Sequence, residues 1–171
     1  MLRATILAIS ATLALAACDP VDQQPKLGPD GLPLPKVYSI TGRDAQVIPQ
    51  RVLESINSLR SARGAAPLVL NASLTTAALA HSKDMAAQNR PWHWGSDGSS
   101  PLSRAQRAGY TGTVLGENIS ETYETEMETL SAWMNVPDTR DVILNPAATQ
   151  MGFSWYQEPS GKIWWTMVTG N

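Results

Sequence analysis

Apolar residues recur along this chain with two different periods, and the change from one to the other divides it. Ile48, Val52, Ile56 and Leu59 return every three to four residues, the spacing that gathers side chains on one face of a helix. Pro49 suits a first turn and Gly64 the position just past a helix end, so a first helix is expected over about 49–63. Pro67-Leu-Val-Leu70 leads to Asn71, a residue that caps helix starts, and Leu74, Ala78, His81 and Met85 then share a stripe through an alanine-rich stretch. That predicts a second helix over about 72–88. Gly95-Ser-Asp-Gly-Ser-Ser100 ends on another cap, Pro101 follows in a first turn, and Gly109 closes a short third helix from 101 to 108. From Glu121 onward, Met127, Leu130, Trp133 and Met134 line one side of a fourth helix, which has glutamates near its N-terminal end and stops before Pro137.

The last twenty residues read differently. Met151, Phe153 and Trp155 alternate with polar positions, as do Ile163, Trp165 and Met167, and Glu158-Pro-Ser-Gly161 between them is turn chemistry. A terminal β-hairpin follows. Its adjacent Trp164 and Trp165 point to opposite faces, one into a core and the other towards a groove. Helices first and strands last predict an α+β domain, with helices packed on a small antiparallel sheet.

The N-terminal end has another character. Residues 1–17 pair a single cation, Arg3, with an apolar stretch too short to span about 30 Å of hydrocarbon, which marks an export signal. It ends Leu15-Ala-Ala-Cys18, similar to the lipobox at which a bacterial signal peptidase cuts and the cysteine is acylated. The alternative is an ordinary signal peptide with an incidental cysteine, but Cys18 is the chain's only one. Acylated Cys18 would make the lipid bilayer a partner, at about 0.8 kcal/mol for each buried CH₂, and would leave no thiol for a disulfide. From 19 to 45 the chain carries Pro20, Pro25, Pro29, Pro33 and Pro35 with Gly28 and Gly31, and little apolar surface. The expected organisation is a signal peptide over 1–17, a lipidated cysteine and tether over 18–45, and one domain over 46–171, exported and anchored in the cell envelope.

Charge narrows the function. Lys and Arg total 13 against 15 Asp and Glu, with 16% of residues charged, so no basic field exists to hold a nucleic acid.

A set of short motifs then falls in a fixed order. Ile56-Asn-Ser-Leu-Arg-Ser-Ala-Arg-Gly64, Ala80-His-Ser-Lys-Asp-Met-Ala86, Trp92-His-Trp-Gly-Ser-Asp-Gly98 and Arg104-Ala-Gln-Arg-Ala-Gly-Tyr110 come first. Gly116-Glu-Asn-Ile119, Trp133-Met-Asn-Val-Pro137, Arg140-Asp-Val-Ile-Leu-Asn145 and the Trp-rich end complete it. Together they resemble the bacterial branch of the CAP superfamily, the cysteine-rich secretory, antigen five and pathogenesis-related proteins. The resemblance implies a three-layer α-β-α sandwich. It also implies a cleft built around two His and two Glu, which in some members holds a divalent cation. His93 matches the first His and Glu117 the first Glu, but Thr139 stands at the second His and Ser131 at the second Glu. Glu128, one helical turn before Ser131, is the residue placed to replace a missing ligand. Zinc needs about three or four protein ligands, so tight zinc binding is not expected, no cofactor is required, and a weak divalent-cation site at His93 and Glu117 is what remains.

His93, set between Trp92 and Trp94, is the leading candidate for chemistry. Glu117 must be paired if it is buried, and His93 is its expected partner. His81 shares an inward face with Met85 and reads as hydrogen-bonded scaffolding. No serine stands in a nucleophile-elbow context, so acyl transfer is disfavoured. Three functions stay open. One is a non-enzymatic module that takes a small apolar or glycan-like envelope ligand in a cleft formed by Trp92, His93, Trp94, Glu117 and Asn118. Another is a metal-assisted hydrolase acting on envelope material. The third is a structural partner of another envelope protein, with a vestigial cleft.

Overall fold

The structure is a computed structural model that describes residues 37–171; the expected signal peptide, Cys18 and the expected tether up to Lys36 lie outside it. Five helices and four strands follow in the order α1 (Gly42–Ser61), β1 (Val69–Leu70), α2 (Ala72–Gln88), α3 (Pro101–Arg107), β2 (Val114–Thr122), α4 (Glu126–Asn135), α5 (Pro137–Leu144), β3 (Gln150–Gln157) and β4 (Ile163–Gly170). The sheet has the order β1-β3-β4-β2. β3 and β4 form the expected hairpin, and β2 pairs antiparallel with β4 on its other side. β1 runs parallel to β3, so the sheet is mixed rather than wholly antiparallel. A chain that goes from β1 to β3 through four helices has ample length for the crossover a parallel pair requires.

Alternation along β3 and β4 sends side chains into two layers, and all of β4 is buried. Met151, Phe153, Ile163, Trp165 and Met167 meet Ile48, Val52 and Ile56 of α1, Leu130 and Trp133 of α4, and Ile143 of α5. On the other face, Val168 packs with Leu74, Ala77 and Ala78 of α2 and Ala105 of α3. Each fully buried Ile, Val or Leu contributes about 1.5–3 kcal/mol, so both layers hold the sheet. This is the three-layer sandwich. α2 lies so close to β3 that a Cβ on Gly152 would collide with the backbone of Leu74 and Thr75. Neither Trp164 nor Trp165 floors a groove, since both are fully buried. Trp164 Nε1 donates to Glu158 Oε1 at 2.7 Å, and the Lys162 ammonium lies over its ring.

Several boundaries move from their expected places. α2 and α3 begin on the expected caps, Asn71 and Ser100. α1 starts seven residues early, because Thr41 and Asp44 form a capping box that launches the helix upstream of Pro49. Pro49 therefore sits inside α1, whose Ile48 and Val52 are sealed against the core on either side of it. The segment after Gly116, with its glutamates, continues as β2 to Thr122; α4 begins only at Glu126, behind the Thr125–Glu128 capping box. Pro137 ends α4 and opens α5 at its first turn.

Arg60, at the end of α1, is fully buried. Its guanidinium donates to Ala66 O at 2.8 Å, Ile143 O at 2.8 Å, Asn145 O at 2.9 Å and Ala148 O at 2.9 Å. Those carbonyls belong to the loop before β1 and to the end of α5, where the macrodipole favours a cation.

The expected tether boundary at 45 is also too late. Tyr38 N donates to Tyr123 O at 3.0 Å, and the Gln157 side chain receives Ile40 N and donates to Tyr38 O at 2.6 Å. Tyr38 and Ile40 pack on the larger core. Residues 37–45 thus belong to the domain. A chain starting at Val37 is expected to melt more than about 5 °C above one starting at Gln46, a difference of roughly 1–2 kcal/mol in a domain this size. Calorimetry of the two checks it, and coincident midpoints would return these residues to the tether.

Candidate functional site

Four elements converge on one carboxylate. β2 carries Glu117 on the face that looks towards α2 and α3, opposite Val168 of β4. α2 brings His81 and α3 brings Arg104, both buried. Between those helices, Asn89 takes a left-handed conformation that ends α2, and the chain turns through Trp92, His93 and Trp94 before Ser100 caps α3. Asp84 of α2 pins this loop by accepting Ser96 N at 2.8 Å.

Glu117 is 2% exposed at its side chain. Arg104 Nη2 donates to its Oε2 at 2.7 Å, and His93 Nδ1 donates to its Oε1 at 2.9 Å. Arg104 also reaches His93 O at 3.0 Å and Ser99 O at 2.9 Å through Nη1. His81 Nε2 lies 2.8 Å from Trp92 O and 3.7 Å from Glu117 Oε1. One guanidinium therefore neutralises the buried charge, and both carboxylate oxygens are engaged. Burial, the largest influence, holds the His81 pKa below its ordinary value against the pull of Glu117. His93 is different in kind: its ring is 54% exposed, flanked by Trp92 and Trp94 at 52% and 58%. Arg90 stacks over the Trp92 ring at 3.0 Å.

The pairing of His93 with Glu117, 24 positions apart in sequence, is present as expected. Asn118 is not part of it. A strand turns neighbouring side chains to opposite faces, so Asn118 is buried in the layer of α4 and α5, where Nδ2 donates to Thr139 O at 2.8 Å. His81 and Arg104 were not among the expected site residues. His81 had its inward position as a signal, and Arg104 had its place in the Arg104–Tyr110 motif, but only the fold brings both to Glu117.

The residues do not fit a tightly held divalent cation. Thr139 Oγ1 donates to Trp133 O at 2.6 Å, closing the end of α4 rather than facing His93. Ser131 is exposed. Glu128 accepts Thr125 N at 2.9 Å in the capping box, so it does not replace a missing ligand. Glu117 and His93 face each other instead of converging on a third point. Among the described residues, no three His, Cys, Asp or Glu side chains gather as a metal would require.

The family model described as CAP, the cysteine-rich secretory protein family, matches residues 53–169. The chain belongs to the CAP family. YkwD of Bacillus subtilis is 33% identical over 121 residues, which cover 71% of this chain and 46% of that protein. The chain thus spans about half the length of that curated relative. Two solved structures share the CAP fold at a TM-score of 0.68. An extracellular protein containing an SCP domain from Bacillus anthracis is 23% identical and is matched over 78% of this chain and 45% of its own. An outer surface protein of Borrelia burgdorferi is 14% identical over 79% of this chain and 98% of its own.

In this CAP domain Arg104 carries the burial of Glu117. Arg104→Met is expected to lower unfolding free energy by about 3–5 kcal/mol, the cost of leaving a buried charge without its partner, and the double variant with Glu117→Gln should recover part of that loss. Urea unfolding measures both. With Glu117→Gln alone measured as well, a loss in the double variant equal to the sum of the two single losses would show that the pair is not coupled.

Proposed function

We propose that this chain is an extracytoplasmic CAP module, tethered to a membrane through acylated Cys18, that binds an envelope-derived ligand of glycan type at Trp92, His93 and Trp94. One observation carries the reading: a half-exposed imidazole, held by a buried carboxylate, is flanked in the chain by two exposed indoles, Trp92 and Trp94. Sugar rings present apolar C–H faces that stack on indole and hydroxyls that pair with imidazole, and both sit on open surfaces. A small apolar ligand needs enclosure instead. The neighbouring cavity of about 360 Å³, between α2, α3 and the 95–99 loop, is lined by Ala77, Ala80 and Ala108 as well as by Asp84, Asp97, Arg104 and Arg107, and carries no part of this reading. A metal-assisted hydrolase is less well supported, because Thr139 and Glu128 hydrogen-bond within and around α4 and Ser131 is exposed.

Calorimetric titration with a soluble N-acetylglucosamine oligomer tests the site. Saturable binding is expected, weakened about tenfold by Trp94→Ala and by His93→Ala, and unchanged by a chelator. Absence of saturable binding, or binding by both variants as tight as by the unmodified protein, would overturn the glycan assignment, and loss of binding on chelation would restore the metal.

The tether rests on Leu15-Ala-Ala-Cys18 and on the extracellular relatives. No helix among the described residues is long and apolar enough to cross a membrane. Cys18→Ser is expected to move the protein from the membrane pellet to the soluble envelope fraction. Retention of the variant on membranes through a high-salt wash would sink the anchor.

A further inference from the structure

His81 is fully buried, yet the group it meets belongs to the exposed loop: its Nε2 lies 2.8 Å from Trp92 O. A carbonyl oxygen only accepts, so Nε2 carries the proton, and in a neutral imidazole Nδ1 is then bare. Nδ1 is indeed buried with no partner, a condition tolerable for a lone pair but costly for an N–H. Its surroundings therefore select one tautomer. His93 is held in the other, because the carboxylate of Glu117, already paired with Arg104, accepts from Nδ1–H. That leaves His93 Nε2 as the ring's acceptor on a half-exposed side chain. The backbone beneath is gripped twice, with Trp92 O against His81 and His93 O against Arg104.

We propose that His81 is a positioning residue: by holding the Trp92 carbonyl from inside the core, it sets His93 so that Nδ1–H meets Glu117 and a bare Nε2 is presented between the indoles. Only the last step, delivery of that acceptor to a ligand, rests on the binding role proposed above. The sequence gives the chain two histidines, and the geometry gives them opposite tautomers with a division of labour, one sealed and directing, the other exposed and directed.

Long-range ¹H–¹⁵N correlation spectra of the intact protein near pH 7.5 test this, because they distinguish imidazole tautomers. The unmodified protein is expected to show His81 as Nε2–H and His93 as Nδ1–H. In His81→Leu, His93 should lose the dominance of its Nδ1–H form. In His81→Gln, whose amide nitrogen reaches the place of Nε2, that form should return. Ser82→Ala is the control for mere destabilisation: it removes the 2.8 Å hydrogen bond to Thr166 on the same buried helix face and should leave His93 unchanged. A His93 spectrum unaffected by His81→Leu, or shifted as much by Ser82→Ala, overturns the proposal. Should His81→Leu fail to fold, two results still decide. His81 found as Nδ1–H in the unmodified protein refutes the geometry, and a folded His81→Gln protein without the Nδ1–H form of His93 refutes the positioning. Affinity for the N-acetylglucosamine oligomer should fall about tenfold in His81→Leu and recover in His81→Gln. A tautomer change without an affinity change would leave the positioning standing and remove the glycan reading.

Discussion

A carboxylate sealed between a sheet and two helices cannot be left to itself, and Glu117 imposes that condition on everything around it. It requires Arg104, and Arg104 requires α3 to begin where it does, behind the Ser100 cap. Arg104 then directs Nη1 to the carbonyls of Ser99 and His93, so the group that neutralises the charge also fastens the loop. The exposed ring of His93 is consequently held at Nδ1 by Glu117 and through its backbone carbonyl by Arg104. Binding groups held this way lose little freedom when they engage a partner.

The helical half of the fold was largely legible. Asn71 and Ser100 are strong caps, the stripe from Leu74 to Met85 has a clean helical period, and the hairpin alternates without interruption. What escaped was set by chemistry that periodicity does not register. Thr41 and Asp44 start α1 upstream of a proline that looked like its first turn. β2 carries Glu117 towards one layer and Asn118 towards the other, so neither face reads as apolar and the strand left no alternating trace. Thr125-x-x-Glu128 is a legible capping box, but the acidic run before it drew the expected helix start backwards into that strand.

The site divides along the same line. The partnership of His93 with Glu117 followed from motif order and the need to pair a buried charge. The departures at Thr139 and Ser131 are visible too: Thr139 closes the end of α4, and Ser131 is exposed. Asn118, expected in the cleft, follows Glu117 directly, and neighbours in a strand face opposite layers, so it points towards Thr139 instead. Arg104 and His81 lie 13 and 36 positions from Glu117; nothing local points from them to it, and the link exists only once α2, α3 and β2 are packed.

The strand order has a consequence for how this domain comes into being. β4, the last element of the chain, is the strand that β2 and β3 both pair with, and without it β3 retains only the two residues of β1. Arg60 likewise waits for carbonyls more than eighty residues downstream. A chain still lacking β4 therefore has helices but no sheet to lay them on. Such a domain assembles late and all at once, with the slow, loop-closing kinetics that distant contacts impose.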